Sequence, residues 1–346
     1  MNSRKTKLRL AARKGETVSS GEPTFKPRPL PKKKVYGLMA KARALEERMI
    51  KMSKSDDGFF WIGGPGEEAF NVPLGLLIKK GEGLDYDYMH FHYRNSATML
   101  AIGMEMIDEI RQMANSVNDP FSGGRNFANH YSYRKWNVMP GTSTIETQYS
   151  VAPGTAWAQR RHGGDGITIV TGGDAGSAES DFATCLNWAS RPGMELPLLS
   201  IVTNNRYGIS TSFEEVHGDT VIARRAEAFG MKWDVVDGND PQASWDKLQE
   251  VFSYVRKEKK PFCLEAYVSR LHGHSSSSGA TRVHNEIDCI VEFEKQLIKD
   301  KVYTAKECDA IKKEYAEEAF EALKTVRQEP KPDSSTIYDH IFAESD

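Results

Sequence analysis

Cysteine is scarce: four in 346 residues (Cys185, Cys263, Cys289, Cys308), none in C-x-x-C spacing. That excludes a disulfide scaffold and a thiolate metal knuckle, and free thiols in a reducing cytosol are the expectation. No run of 18 apolar residues exists, so no membrane span is expected. An apolar signal-peptide core near the start is missing too. Charge of one sign does not dominate: 46 basic against 48 acidic residues leave a net −2, which gives no global case for nucleic acid. The common nucleotide loops are absent. There is no G-x-x-x-x-G-K-[ST], and Gly172-Gly173-Asp174-Ala175-Gly176 is not G-x-G-x-x-G. Cytoplasmic residence is the expectation. The alternative is the mitochondrial matrix, because the start is Arg-rich and lacks Asp.

What is present is a chain with 39% hydrophobic residues, enough for one large α/β domain. Residues 1–34 carry 11 Lys or Arg and 2 Glu, a local +9, with Pro23, Pro27, Pro29 and Pro31. They read as a basic, flexible arm, either a solvated tail or an electrostatic dock for a partner. Residues 35–346 form the folded unit. Its first helix is expected over about Val35 to Met52, with Leu38, Ala42, Leu45 and Met49 on one face.

The centre of the chain carries the chemistry. Ile167 to Thr171 is a short β-branched run with the pattern of a buried parallel strand. It leads into Gly172-Gly173-Asp174-Ala175-Gly176-Ser177-Ala178-Glu179-Ser180-Asp181. Ser177 or Ser180 is expected to cap a helix to about Ser190, packed through Phe182, Cys185, Leu186 and Trp188. A second strand, Leu196 to Val202, ends at Asn204-Asn205-Arg206-Tyr207. Strand, helix and strand bring both strand ends to one edge of a parallel sheet, where such sheets bind ligands. There Asp174 offers a carboxylate oxygen, Asn205 an amide oxygen and Tyr207 a backbone carbonyl. With two diphosphate oxygens and a water they complete the six hard oxygens that Mg²⁺ takes. The adjoining helix N-terminus adds amide donors and partial positive charge. A metal held against a diphosphate on such a turn points to thiamine diphosphate.

Further along, Gly66-Glu67-Glu68-Ala69, Tyr93-Arg94, Gly124-Arg125 with His130-Tyr131, Thr142 to Gln148, Tyr207-Gly208-Ile209-Ser210-Thr211 and His272-Gly273-His274-Ser275 follow in order. Together these stretches, from about Val35 to Pro330, resemble the alpha subunit of the thiamine-dependent, decarboxylating component of 2-oxo acid dehydrogenase complexes. The resemblance implies a thiamine-diphosphate-binding α/β fold, a parallel sheet flanked by helices. It places Tyr93 and Arg94 on the diphosphate, with Gly173, Asp174, Ala175, Gly176, Asn205 and Tyr207. Asp174, Asn205 and Tyr207 are the metal set. Ser143 and Ile145 lie against the aminopyrimidine, Ile145 as the wedge that bends the cofactor. His274 is the catalytic residue, touching both phosphate and reacting carbon, and a neutral-range pKa suits it. His130 is either a site residue or structural, and His90 and His92 read as structural. Thr147 and Gln148 stand where some members hold K⁺. The chain departs from the family pattern at Thr144 and Glu146 (a Pro and a small residue elsewhere), at Ala175 (often Gly), at Thr203 (an Arg in some members) and at Ser278. The serine-rich loop from Arg270 to Arg282 reads as mobile, and Ser275 matches a phosphorylated serine of animal enzymes.

The activity so implied is oxidative decarboxylation of a 2-oxo acid with acyl transfer to a lipoyl group. The chain would be an oxidoreductase acting on an oxo group with a disulfide acceptor. Branched-chain acids of the 2-oxoisovalerate type are favoured. The alternatives are a pyruvate or acetoin dehydrogenase alpha subunit, or a non-catalytic scaffold. The implied partners are a beta subunit in an α2β2 heterotetramer, which supplies a glutamate, and a lipoyl-bearing acyltransferase core. Neither nucleic acid nor membrane is expected. From Asn285 to about Gln328 the pattern is helical, with Ile287, Ile290, Phe293 and Leu297 among its apolar positions.

Overall fold

Apolar β-branched runs build the centre of the molecule. The computed structural model describes residues 27–339 and 341–342. Among the described residues seven strands occur: β1 (Tyr88–His90), β2 (Thr168–Gly173), β3 (Leu198–Asn204), β4 (Tyr207–Gly208), β5 (Thr211–Ser212), β6 (Lys232–Asp237) and β7 (Phe262–Tyr267). Five of them form a parallel sheet in the order β1-β2-β3-β7-β6, and β4 and β5 make a small antiparallel hairpin. In register, Gly173 lies beside Thr203 and Asn204 beside Tyr267, so the strands end together on one edge. The two middle strands are buried along their whole length, as a sheet covered on both faces requires.

The helices are α1 (Lys32–Met52), α2 (Glu68–Leu77), α3 (Ser96–Ile102), α4 (Met106–Met113), α5 (Thr147–His162), α6 (Ser180–Ala189), α7 (Phe213–Val216), α8 (Pro241–Glu258), α9 (Cys289–Lys299) and α10 (Ala305–Val326). On one sheet face Tyr149, Ala152, Phe182 and Leu186 of α5 and α6 pack on Val170, Leu198 and Val202. On the other, Phe70 and Leu74 of α2 with Leu248 and Phe252 of α8 cover Ile169, Leu199, Ile201 and Leu264. Residues 169 and 170 therefore face opposite ways, as the pleat dictates. A third core joins α1, α4, α9 and α10 through Leu45, Met49, Ile110, Phe293 and Leu323. Local signals agree with the ends of elements. Asp240 caps α8 by accepting from Gln242 N–H at 2.8 Å, with Pro241 in the first turn. Thr304 and Glu307 form a capping box on α10.

The α/β class and the flanked parallel sheet are as expected, and several local expectations change. Residues 1–26 of the basic arm lie outside the described residues. Its end is not free: α1 begins at Lys32, and the Arg28 carbonyl accepts from the Trp245 indole at 2.7 Å on α8. Neither Ser177 nor Ser180 caps α6. Glu179 holds the cap position without a side-chain bond, because residues 175–178 close a 3-10 turn first. Trp188 is exposed, and Ala189 takes its place in the core. Ile287 is exposed too, because it precedes α9. The serine-rich loop is anchored: Ser276 N–H donates to the Trp61 carbonyl at 2.8 Å, and Ser275 is buried.

Candidate active site

Four chain segments leave the carboxyl edge of the sheet and surround one cavity of about 590 Å³. Tyr93 and Arg94 follow β1, and Gly173 ends β2 with Asp174 to Gly176 after it. The β4–β5 hairpin follows β3, and the loop with His274 follows β7. The loop before α5 closes the remaining side with Ser143 and Ile145. Ten of the eleven expected site residues line this space. Asn205 does not reach the lining and sits behind it, buried.

Arg94 occupies the floor. Its Nη1 donates to the Tyr93 hydroxyl at 2.9 Å, and its guanidinium lies 5.2 Å from the Tyr93 ring centroid. Its Nε stands 2.5 Å from Glu67 Oε1, both groups buried. The N–H points past the carboxylate, so this is a charge contact and not an aligned hydrogen bond. Burial pushes the Glu67 carboxyl up, and the guanidinium pulls against that shift. Glycine at 173 leaves room for this floor: a Cβ there would stand 2.6 Å from Arg94 Nη2.

Asp174 is the first residue past β2 and is almost wholly buried. Its amide donates to the Thr203 carbonyl at 3.2 Å, tying the turn to β3. Its Oδ2 has no hydrogen-bond partner among the described residues. Burial pushes this carboxyl up, and the nearby Arg94 charge opposes that. Asn205 turns its Oδ1 to accept from Tyr207 N–H at 3.1 Å, which shapes the hairpin entry, where Arg206 adopts φ 65°. Among the described residues no group of three or more His, Cys, Asp or Glu side chains is placed to hold a metal ion. A cation here would draw on one carboxylate, on amide and carbonyl oxygens, and on its ligand.

His274 meets Tyr93 edge to face, with centroids 5.8 Å apart. Burial and the charges of Arg94 and Arg270 push it down to about 4, well below the neutral range expected. It is a neutral imidazole at physiological pH. His130 is oriented: Nδ1 donates to the Ala128 carbonyl at 3.0 Å, so Nε2 accepts from the Ser143 hydroxyl at 3.2 Å. Its ring also packs on Phe127 at 4.3 Å, which makes it part of the cavity wall.

Two supporting side chains escaped sequence reasoning, and a third stood out only as a departure from the family pattern. Asn129 donates to the carbonyls of Ile62 at 2.9 Å and Tyr93 at 2.8 Å, clasping two loops. His217 Nε2 donates to the Asp174 carbonyl at 2.9 Å, while its Nδ1 accepts from Arg225, itself bidentate on Asp219. Glu146, within the Thr142 to Gln148 motif, lies buried against the glycine turn and lines the cavity. Asn129 and His217 sit in no motif, so only the fold brings them in.

The family model described as the dehydrogenase E1 component matches residues 36–335. The chain belongs to the dehydrogenase E1 component family. The 2-oxoisovalerate dehydrogenase subunit alpha of Bacillus subtilis (strain 168) is 31% identical over 242 residues, 70% of this chain and 72% of that protein. The pyruvate dehydrogenase E1 component subunit alpha of Rhizobium meliloti (strain 1021) is 27% identical over 322 residues, 89% of each. The mitochondrial 2-oxoisovalerate dehydrogenase subunit alpha of Homo sapiens is 24% identical over 349 residues, 97% of this chain and 76% of that protein. The resemblance to E1 alpha subunits read from the ordered motifs is thereby borne out. E1 dehydrogenases as a family depend on thiamine diphosphate, and their alpha subunits work with beta subunits. Among the described residues no helix is long and apolar enough to cross a membrane.

Proposed function

We propose that this E1 chain serves a thiamine-diphosphate-dependent dehydrogenase of branched-chain 2-oxo acids, as the alpha subunit of an α2β2 assembly. The observation that carries the reading is Asp174 Oδ2, buried and without a partner on the sheet edge beside Arg94. A buried polar atom left unmatched costs about 1–3 kcal/mol, so a ligand is the natural complement. Mg²⁺ fits that atom, with Asn205 Oδ1 and the Tyr207 carbonyl as further oxygens. Arg94 and the amides of the turn would take the diphosphate. Thr147 and Gln148, at the start of α5, would offer the oxygens for K⁺, while the Gln148 amide nitrogen donates to Thr171 O at 3.0 Å.

Bound thiamine diphosphate supplies a carbon nucleophile and an electron sink for loss of carbon dioxide. The chain's own residues do the rest. Arg94 would hold the anionic end, and Ile145 would stand against the ring system. His274, neutral at rest, would first accept a proton and then return it. Ile145, Tyr207 and Ile209 stand exposed at the mouth, where a beta subunit would close the site and exclude water. On this reading the glutamate that polarises the aminopyrimidine comes from that subunit, and the chain alone is inactive. Residues Gly66 to Ala69 and Ile209 to Thr211 favour branched-chain acids, whereas Asn205 to Gly208 favours pyruvate. Lipoyl-dependent turnover of the assembly with 2-oxoisovalerate and with pyruvate tests the assignment. A preference for 2-oxoisovalerate is expected, and a preference for pyruvate would replace the substrate.

A further inference from the structure

Glu146 is an expensive residue for its position. It is fully buried and precedes α5 with φ 63°, in the left-handed region. A non-glycine residue there costs roughly 1–2 kcal/mol. It gives α5 no side-chain cap, so helix capping does not account for it. Nor does an ion pair: Oε1 accepts from Gly173 N–H at 3.1 Å, and Oε2 has no hydrogen-bond partner among the described residues.

Its surroundings are shaped to it. A Cβ on Gly172 would collide with Glu146 Oε2 and with the Tyr149 ring, and a Cβ on Gly176 would collide with Glu146 alone, at Oε1, the carboxyl carbon and Cγ. Neither glycine has a positive φ, so the backbone conformation does not demand glycine at either place. The Glu146 side chain does so at 176, and at 172 it does so together with the Tyr149 ring. The carboxyl group fills the volume that two side chains would occupy, one on each limb of the turn, and grips the amide between them.

We infer that Glu146 is a positioning residue for the cofactor's diphosphate: its carboxyl group interlocks with Gly172 and Gly176 and fixes the Gly173 amide, holding the turn in its receiving shape. This rests on the proposed diphosphate site. Removing the side chain empties the space between the limbs and frees the Gly173 amide. The turn must then be ordered at the moment of binding, which weakens affinity. Affinity is therefore the quantity that reports the role.

The test is a double-mutant cycle in the assembled enzyme. Binding of thiamine diphosphate with Mg²⁺ is followed by calorimetry, and melting of the cofactor-free assembly is recorded in parallel. Glu146→Ala should weaken binding roughly tenfold or more. Glu146→Gln keeps the shape and an oxygen for Gly173 N–H, and should bind within about threefold of the wild type. Gly176→Ala should weaken binding and lower the melting temperature through the clash. Adding Glu146→Ala to Gly176→Ala should recover part of both, because the methyl group enters the vacated space. Independent, additive losses would overturn the interlock. A Glu146→Ala assembly that melts earlier yet binds like the wild type would reduce Glu146 to plain packing. Absence of binding by the wild type would instead refute the site reading itself.

Discussion

Arg94→Met should damage the molecule in two separable ways. The guanidinium faces Glu67 at 2.5 Å with both groups buried, so its removal strands a carboxyl group in the core. Breaking a buried pair by deleting one partner costs about 3–5 kcal/mol. For 346 residues, unfolding entropy near ~2.1 cal/mol/K per residue gives about 0.7 kcal/mol/K. The unfolding transition of this chain, in the cofactor-free state, should thus fall by about 4–7 °C. Arg94→Met with Glu67→Leu removes both charges and keeps apolar volume, so most of that loss should be recovered. Thiamine diphosphate binding should stay lost in both variants, because the positive floor is gone. Scanning calorimetry and titration calorimetry on the same samples read the two effects. An equal melting loss in the single and double variants would refute the buried-pair reasoning. Retained tight binding in either would refute Arg94 as the diphosphate partner.

His274→Ala should leave cofactor affinity within about tenfold (~1.4 kcal/mol) while cutting acyl transfer to lipoyl groups by roughly 10²-fold or more. Near-normal turnover would remove His274 from the chemistry. A pH effect on stability follows from two carboxyl groups away from the cavity, Glu46 and Glu109, pushed up by burial to about 7 and about 8. Each holds a proton in the folded state that the unfolded chain releases, so its stabilisation is complete below the unfolded value near 4.5 and is lost as pH rises through 7 to 8. His90 and His274, held down to about 4, act oppositely but only below their unfolded value near 6.5. Between pH 6.5 and 8 the melting temperature of the cofactor-free assembly should therefore fall. The slope approaches about 1.4 kcal/mol per pH unit for each proton, and Glu109→Gln should flatten it. A melting temperature independent of pH across that window would contradict the buried, protonated assignment.

Local pattern carried the sheet and its binding edge. The β-branched run ending in Gly172-Gly173-Asp174 and the strand ending at Asn204-Asn205 each have a period and a turn that only a buried parallel strand satisfies. Both strands end two residues later than expected, because pairing of Gly173 with Thr203 and of Asn204 with Tyr267 extends the ladder into the turn. Trp188 misled for a different reason. Helical spacing places it near the packed face, but Ala189 fits beside the sheet and the indole does not. The direct ligand candidates were legible because each sits in a motif with its own chemistry. The supports were not. Glu67 beside Arg94, His217 beneath Asp174 and Asn129 between Ile62 and Tyr93 lie 27, 43 and 67 residues from a partner, and only the folded chain joins them. The depressed His274 was likewise invisible, since it is lowered first by burial in the folded cavity and then by the charges of Arg94, 180 residues away, and Arg270.

Titration calorimetry of Mg²⁺ and thiamine diphosphate into the assembled enzyme, wild type against Asp174→Ala, tests the central claim most directly. Saturable, Mg²⁺-dependent binding to the wild type, abolished by Asp174→Ala, is the result this account requires. Equal binding by both assemblies, or binding by the wild type indifferent to Mg²⁺, would contradict it.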